Sequence, residues 1–242
     1  MRGPVQFFPT DKEHPRYGHS RDLWEMVAGY GMVMAVLWTP PPAQRPLFWA
    51  AFFGNLLLLL LRREDWSSLG LGGKGLLRSL WVVGAALVVA LFAVWVALRL
   101  HTLHALTNRR PWQWHIWGYV LWALMQQVLL QGLVFLRLRR MIGRDNLAVL
   151  AAALLFALAH LPNPVLTALT FLWGLAACAL FLRYRNLYTL GMAHAILGLC
   201  VALTVPDAVL HHMRVGTGYL RYCPRSSQQS APYRVHTGMG DR

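Results

Sequence analysis

Negative charge is scarce in this chain. Its 242 residues hold nine Asp plus Glu, and only 13% are charged, where a soluble domain of this size carries roughly a quarter. Lysine is scarcer still: Lys12 and Lys74 are the only two, so the 23 basic residues are almost all arginine and the formal net charge is +14. The last Glu is Glu64, which leaves the C-terminal three-quarters without one. Three cysteines, Cys178, Cys200 and Cys223, are too few and too scattered for a disulfide framework or a zinc knuckle. The first 20 residues contain no apolar stretch of the signal-peptide kind, so the first apolar run reads as a retained anchor. These shortages exclude disordered, collagenous and ordinary soluble enzyme classes.

What is abundant is apolar. The chain is 57% hydrophobic with a mean hydropathy of +0.42, and the fold class it implies is all-α, a polytopic membrane helical bundle. A spanning helix needs about 20 mostly apolar residues. Ser79 to Leu98, Trp112 to Leu136 and Asn186 to Pro206 meet that without a formal charge. Leu147 to Leu182 is also uncharged, but His160-Leu161-Pro162-Asn163-Pro164 breaks it into two helices. Leu23 to Trp38, ended by Thr39-Pro40-Pro41-Pro42, and Pro46 to Leu61 are the earlier candidates. About seven spans are expected. The chain divides into a polar segment (1–20), N-terminal membrane helices (21–111), a core (112–206) and a polar basic tail (207–242).

Arginines punctuate these runs instead of forming one patch, which argues for anchoring to anionic headgroups and against nucleic acid. Their alternation from loop to loop favours a cytoplasmic N-terminus, although the basic tail, with Arg214, Arg221, Arg225 and Arg234, runs counter to it. The arginine-over-lysine bias hints at a bacterial plasma membrane. Leu69-Gly70-Leu71-Gly72-Gly73-Lys74-Gly75 invites comparison with a phosphate loop, but Ser68 stands where a glycine is required and Gly75 where Ser or Thr is. It reads as a flexible loop.

Polar groups inside membrane helices are costly and by default suggest a site. Three places stand out: Gln126-Gln127 with Gln131 one turn on, Phe156 one turn before His160, and His194 one turn before Gly198. Singly, each has a plain structural explanation. Membrane glutamines often only bond a neighbouring helix, and a lone histidine is more often a packing residue than a ligand.

Their order resembles the CPBP family of intramembrane endopeptidases, which includes the CAAX prenyl proteases and bacteriocin-immunity relatives. That family's pattern is Glu-Glu-x-x-x-Arg, then Phe-x-x-x-His, then His-x-x-x-Asn or a variant. The stretches here are Gln126-Gln127-x-x-x-Gln131, Phe156-x-x-x-His160 and His194-x-x-x-Gly198. The resemblance covers roughly Trp112 to Val205. It implies a bundle around a polar intramembrane cavity and hydrolysis of a membrane-associated peptide or protein. It would make Gln126 the general-base position, Gln127 and Gln131 the ion-pair positions, and His160 and His194 the polarising groups. Phe156 and Asn163 would be substrate contacts. No cofactor is implied. A divalent metal held by His160 and His194 would lack a third strong ligand, Asn163 being a weak candidate.

The departures from the pattern bear on chemistry. A carboxamide cannot accept a proton, so Gln126 forfeits general-base catalysis typically worth about 10²–10⁴-fold. Losing one partner of a buried Glu–Arg pair would strand a charge at about 3–5 kcal/mol, whereas replacing both by Gln keeps the site neutral. Glu25 is the only carboxylate with a route inward. Two expectations follow: an endopeptidase of altered mechanism, with His160 as base and His194 as electrophile, or a non-catalytic member binding a membrane peptide or partner as an immunity or scaffold protein. A transporter is disfavoured, because no internal repeat is visible.

Overall fold

The computed structural model describes residues 17–62, 66–103 and 112–222. Among them all regular structure is helical. Helix α1 spans Tyr17–Trp38, α2 Gln44–Leu61 and α3 Leu76–Arg99. Helix α4, Trp112–Gln127, continues through a π-helical segment, Val128–Phe135, into α5, Leu136–Ile142. Then come α6 (Asp145–Leu158), α7 (Pro164–Tyr184) and α8 (Leu187–Thr204), followed by two short helices, α9 (Asp207–Leu210) and α10 (Gly216–Leu220).

Helix ends follow from local chemistry. Pro164 opens α7 at its first position, and the Asn163 side chain accepts from the Leu166 N–H as N-cap. Asn186 caps α8 in the same way through the Thr189 N–H. Gly143, in the left-handed region with φ 67°, closes α5. The expected break at 160–164 is present, with α6 ending at Leu158. The expected end of the fourth span at Leu136 is not: the helix runs on to Ile142. Arg137, Arg139 and Arg140, which follow Leu136, are held by carboxylates.

Among the described residues five helical stretches are long and apolar enough to cross a membrane: 44–61, 76–99, 116–142, 164–184 and 187–204. Helix α6, with 14 residues, is shorter, and α1 carries Arg21, Asp22 and Glu25 in its first turns. Five stretches therefore meet the measure, not the seven expected. Outward-facing Leu77, Val88, Leu91, Leu121 and Trp24 are well exposed, as lipid-facing surfaces require. The protein is an integral membrane helical bundle.

Helix α8 packs between α3 and α4, α6 lies along α7, and α1 pairs with α2. Two contacts are glycine-dependent. A Cβ on Gly191 would stand 3.2 Å from Leu124 Cα, and one on Gly174 would stand 3.0 Å from Ala153 Cα. These glycines thus serve internal packing of α8 on α4 and α7 on α6. Cys178 and Cys200 are free and buried, and Cys223 lies outside the described residues.

The glycine-rich loop is not a loose segment. Five carbonyls here accept from donors at the α7–α8 junction: Leu187 N–H bonds the Gly70 oxygen, Asn186 Nδ2 those of Gly72 and Lys74, Tyr188 Oη that of Leu71, and Arg185 that of Ser68. A phosphate loop presents N–H groups instead.

Asp22, Glu25 and Asp145 sit at the same end of the bundle. Buried Asp22 pairs with Arg62 and Arg140, and Glu25 with Arg21, Arg62 and Arg137. Arg137 is 1% exposed, lies 2.9 Å from Glu25 and also donates to the Gly132 carbonyl. Asp145 takes Arg139 at 2.6 Å. Glu25 therefore ties α1 to α5 and α2, and is not among the residues lining the central cavity.

Candidate functional site

The helices enclose a cavity of about 1000 Å³. Helices α1 and α2 form one wall, and α4, α7 and α8 the other, with the α6–α7 turn and Met213 and Val215 at one end. Gln126, His160 and His194 all line it, together with Phe156, Gly198 and Tyr119. No Asp, Glu, Lys or Arg does so among the described residues.

Each polar side chain is positioned by its helix. Gln126 faces the cavity with no hydrogen-bond partner among the described residues. Gln127 and Gln131, one residue round the helix, are fully buried away from it. They form a relay: the Gln131 amide donates to Gln127 Oε1 at 3.3 Å, and Gln127 Nε2 lies 3.2 Å from His194 Nδ1. This contact ties His194 on α8 to α4, as does a hydrogen bond between its ring and the Ala123 backbone. Gln131 lies within the π segment, and its Oε1 is buried without a partner among the described residues. π-Helical turns of this kind recur at functional sites.

His160 is fixed differently. Its Nδ1 lies 2.7 Å from the Phe156 carbonyl oxygen one turn back. That oxygen can only accept, so Nδ1 carries the proton and Nε2 keeps its lone pair. The Phe156 ring stands edge-on to both histidines, 5.0 Å from His160 and 5.9 Å from His194. On the far side the indole of Trp173 lies 5.8 Å from His194. Phe156 thus packs against both imidazoles, and what it offers a bound molecule is an apolar surface.

These elements carry a family signature. Residues 108–200 match the family model of type II CAAX prenyl endopeptidase Rce1-like proteins. This segment, 93 of the 242 residues, is similar to that family. The match supports the CPBP resemblance read from the motif order, and it contains Gln126, Gln127, Gln131, His160 and His194. No curated protein and no solved structure matches the chain.

Within the Rce1-like segment Asn163 has another occupation. It is fully buried and does not line the cavity. Its Oδ1 caps α7, and its Nδ2 donates to the carbonyls of Leu210 and Arg214 at 2.8 and 3.2 Å. No polar atom is left for a substrate or a metal. Among the described residues no group of three or more His, Cys, Asp or Glu could hold a metal ion. His160 and His194 are two imidazoles, and three protein ligands are usual for a catalytic zinc.

Sequence reasoning missed Tyr119. It lies seven residues before Gln126, two turns back on the same face of α4, and that spacing was the signal that could have found it. Its ring covers Gly198, on α8 one turn beyond His194. It also missed Trp173, whose indole N–H is buried with no partner among the described residues.

Proposed function

We propose that this membrane protein binds an extended membrane-associated peptide in its central cavity, in an Rce1-like core from which glutamate-type water activation has been lost. The observation carrying this reading is that Gln126, His160 and His194 share one cavity whose lining holds no carboxylate among the described residues. A cavity of about 1000 Å³, mostly apolar with a few convergent polar groups, has the character of a ligand site. The Gln126 amide can donate to a backbone carbonyl and accept from an N–H, but it cannot take a proton from water. The Gln131–Gln127–His194 relay is neutral throughout, so no buried charge has to be compensated.

A second reading is favoured by one specific feature. With Nδ1 donating to the Phe156 carbonyl, His160 presents a basic Nε2, the geometry of a general base. Hydrolysis would then proceed with His160 taking the proton of water and His194 acting as the electrophilic partner.

One experiment separates the two. The full-length protein in bilayer nanodiscs is assayed for cleavage of a membrane-peptide library as wild type, Gln126→Glu and His160→Ala. The binding reading expects no wild-type turnover and a gain with Gln126→Glu of about 10²-fold or more over background. Wild-type turnover abolished by His160→Ala would establish the second reading and sink the first.

In the same reading the N-terminus is cytoplasmic and the membrane is a bacterial plasma membrane, with arginines meeting anionic headgroups. The wealth of arginine at the end of the bundle that holds the start of α1 supports this orientation.

A further inference from the structure

We propose that Tyr119 is a ligand-contacting residue whose hydroxyl donates a hydrogen bond to a backbone carbonyl of the bound peptide, and that position 198 is glycine in order to admit it. This rests on the peptide-binding reading above and adds a contact to it.

The steric argument comes first. A Cβ at position 198 would lie 1.9 Å from Tyr119 Oη, 2.7 Å from Cζ and 2.9 Å from Cε1. Every residue larger than glycine therefore displaces the phenol. Glycine inside a helix is unfavourable relative to alanine by about 1 kcal/mol, and the seat for the phenol is what α8 gains there.

The hydrogen-bond argument is independent of it. Three tyrosine hydroxyls on the long helices are satisfied by protein: Tyr30 donates to the Leu155 carbonyl, Tyr188 to that of Leu71, and Tyr184 accepts from the Trp81 indole. The Tyr119 hydroxyl has no partner among the described residues, although the residue lines the cavity. A polar group in apolar surroundings without a partner is costly, so its partner is an occupant of the cavity.

The chemistry of that occupant follows from the lining. Tyr119 shares a helix face with Gln126, and Gly198 shares one with His194, so the hydroxyl belongs to the same group of side chains. No Lys or Arg lines the cavity among the described residues, so an anionic headgroup would stand there uncompensated. A phenol O–H beside a carboxamide suits a neutral oxygen acceptor, and a peptide carbonyl is one.

The test uses full-length protein in nanodiscs and a fluorescent farnesylated tetrapeptide, with companion probes in which each backbone amide in turn is an (E)-alkene. Tyr119→Phe keeps the ring on Gly198 and removes only the hydroxyl. Expected is an affinity loss of about three- to tenfold for the all-amide probe, with an unchanged thermal midpoint. For one alkene probe, wild type and Tyr119→Phe should bind equally. Gly198→Ala should weaken the all-amide probe at least as much, by displacing the ring. An unchanged affinity in Tyr119→Phe, with Gln126→Ala weakened, would overturn the contact and leave the binding reading standing. Equal loss against every probe would also overturn it, because the hydroxyl would then hold water or shape. If wild type binds no probe, the peptide-binding reading itself fails and the contact with it.

Discussion

Arg137 is the most deeply buried charged side chain described, and it is held by a carboxylate 112 positions earlier, Glu25. Removing one partner of such a pair leaves the other stranded, which typically costs about 3–5 kcal/mol. Glu25→Gln is therefore expected to lower unfolding stability by that order, read as a fall in thermal midpoint in detergent. Glu25→Gln with Arg137→Gln should lose clearly less than the two single losses added, because residues in one ion pair couple. Additive losses would show that the pair is not a unit. In the sequence Glu25 looked like a carboxylate with a route inward to the site; the structure uses it as a brace. Nothing in local pattern could have told these apart, since the contact joins helices far apart in the chain. Gln126 and His194 on their helices and His160 in the turn after α6 were legible from motif spacing, whereas Tyr119 had only its shared helix face with Gln126 to mark it.

The elements were legible wherever punctuation is chemical. Thr39-Pro40 and Pro162-Asn163-Pro164 stop helices because proline lacks a donor and restricts its predecessor, and α1 and α6 end at Trp38 and Leu158. The π segment was invisible, because hydropathy does not change where the hydrogen-bond register does. The segment after α8 was invisible too. There His211, His212 and Met213 adopt left-handed φ of 50°, 51° and 57°, unfavourable for L-residues by roughly 1–2 kcal/mol each. Asn163 holds both sides of this turn through the Leu210 and Arg214 carbonyls. Asn163→Ala is expected to lose about 1–2 kcal/mol for the cap alone and to raise hydrogen exchange selectively across 206–222. If exchange there is unchanged while peptide binding collapses, Asn163 touches the ligand and its bracing role is secondary. Close packing of α7 on α6 gives a sharper case. A Cβ at position 174 meets Ala153 backbone at 3.0 Å, so Gly174→Leu should force the helices apart and destabilise by about 1–3 kcal/mol, while Gly84→Leu, where nothing lies within 4 Å, should be neutral.

At the scale of the whole molecule the arginines fall into place around two ends. The Asp22–Arg140 and Glu25–Arg137 pairs bring the start of α1 to the end of α5, and the Gly70–Leu187 bond brings the loop before α3 to the α7–α8 junction. That end holds Arg21, Arg62, Lys74, Arg78, Arg137, Arg139, Arg140, Arg144, Arg183 and Arg185. The opposite end, where Gly216 N–H bonds the Leu161 carbonyl and Thr217 bonds that of Leu37, holds Arg45, Arg99, Arg214 and Arg221 among the described residues. Loop by loop the alternation is blurred by the basic tail; among the described residues folding sorts ten positive charges against four. Cations retained near span ends mark the cytoplasmic side, so the arginine-rich end is expected there and the His160 turn on the other side of the membrane. Gly73→Cys, exposed at the first end, and Leu220→Cys, exposed at the second, provide the measurement in a background where Cys178, Cys200 and Cys223 are replaced by Ser. An impermeant maleimide added to intact cells should label Leu220→Cys alone, and inverted vesicles should reverse the pattern. The opposite labelling would put the His160 end of the cavity on the cytoplasmic side, and would mean that the arginines are kept for pairing with Asp22, Glu25 and Asp145 and not for orientation.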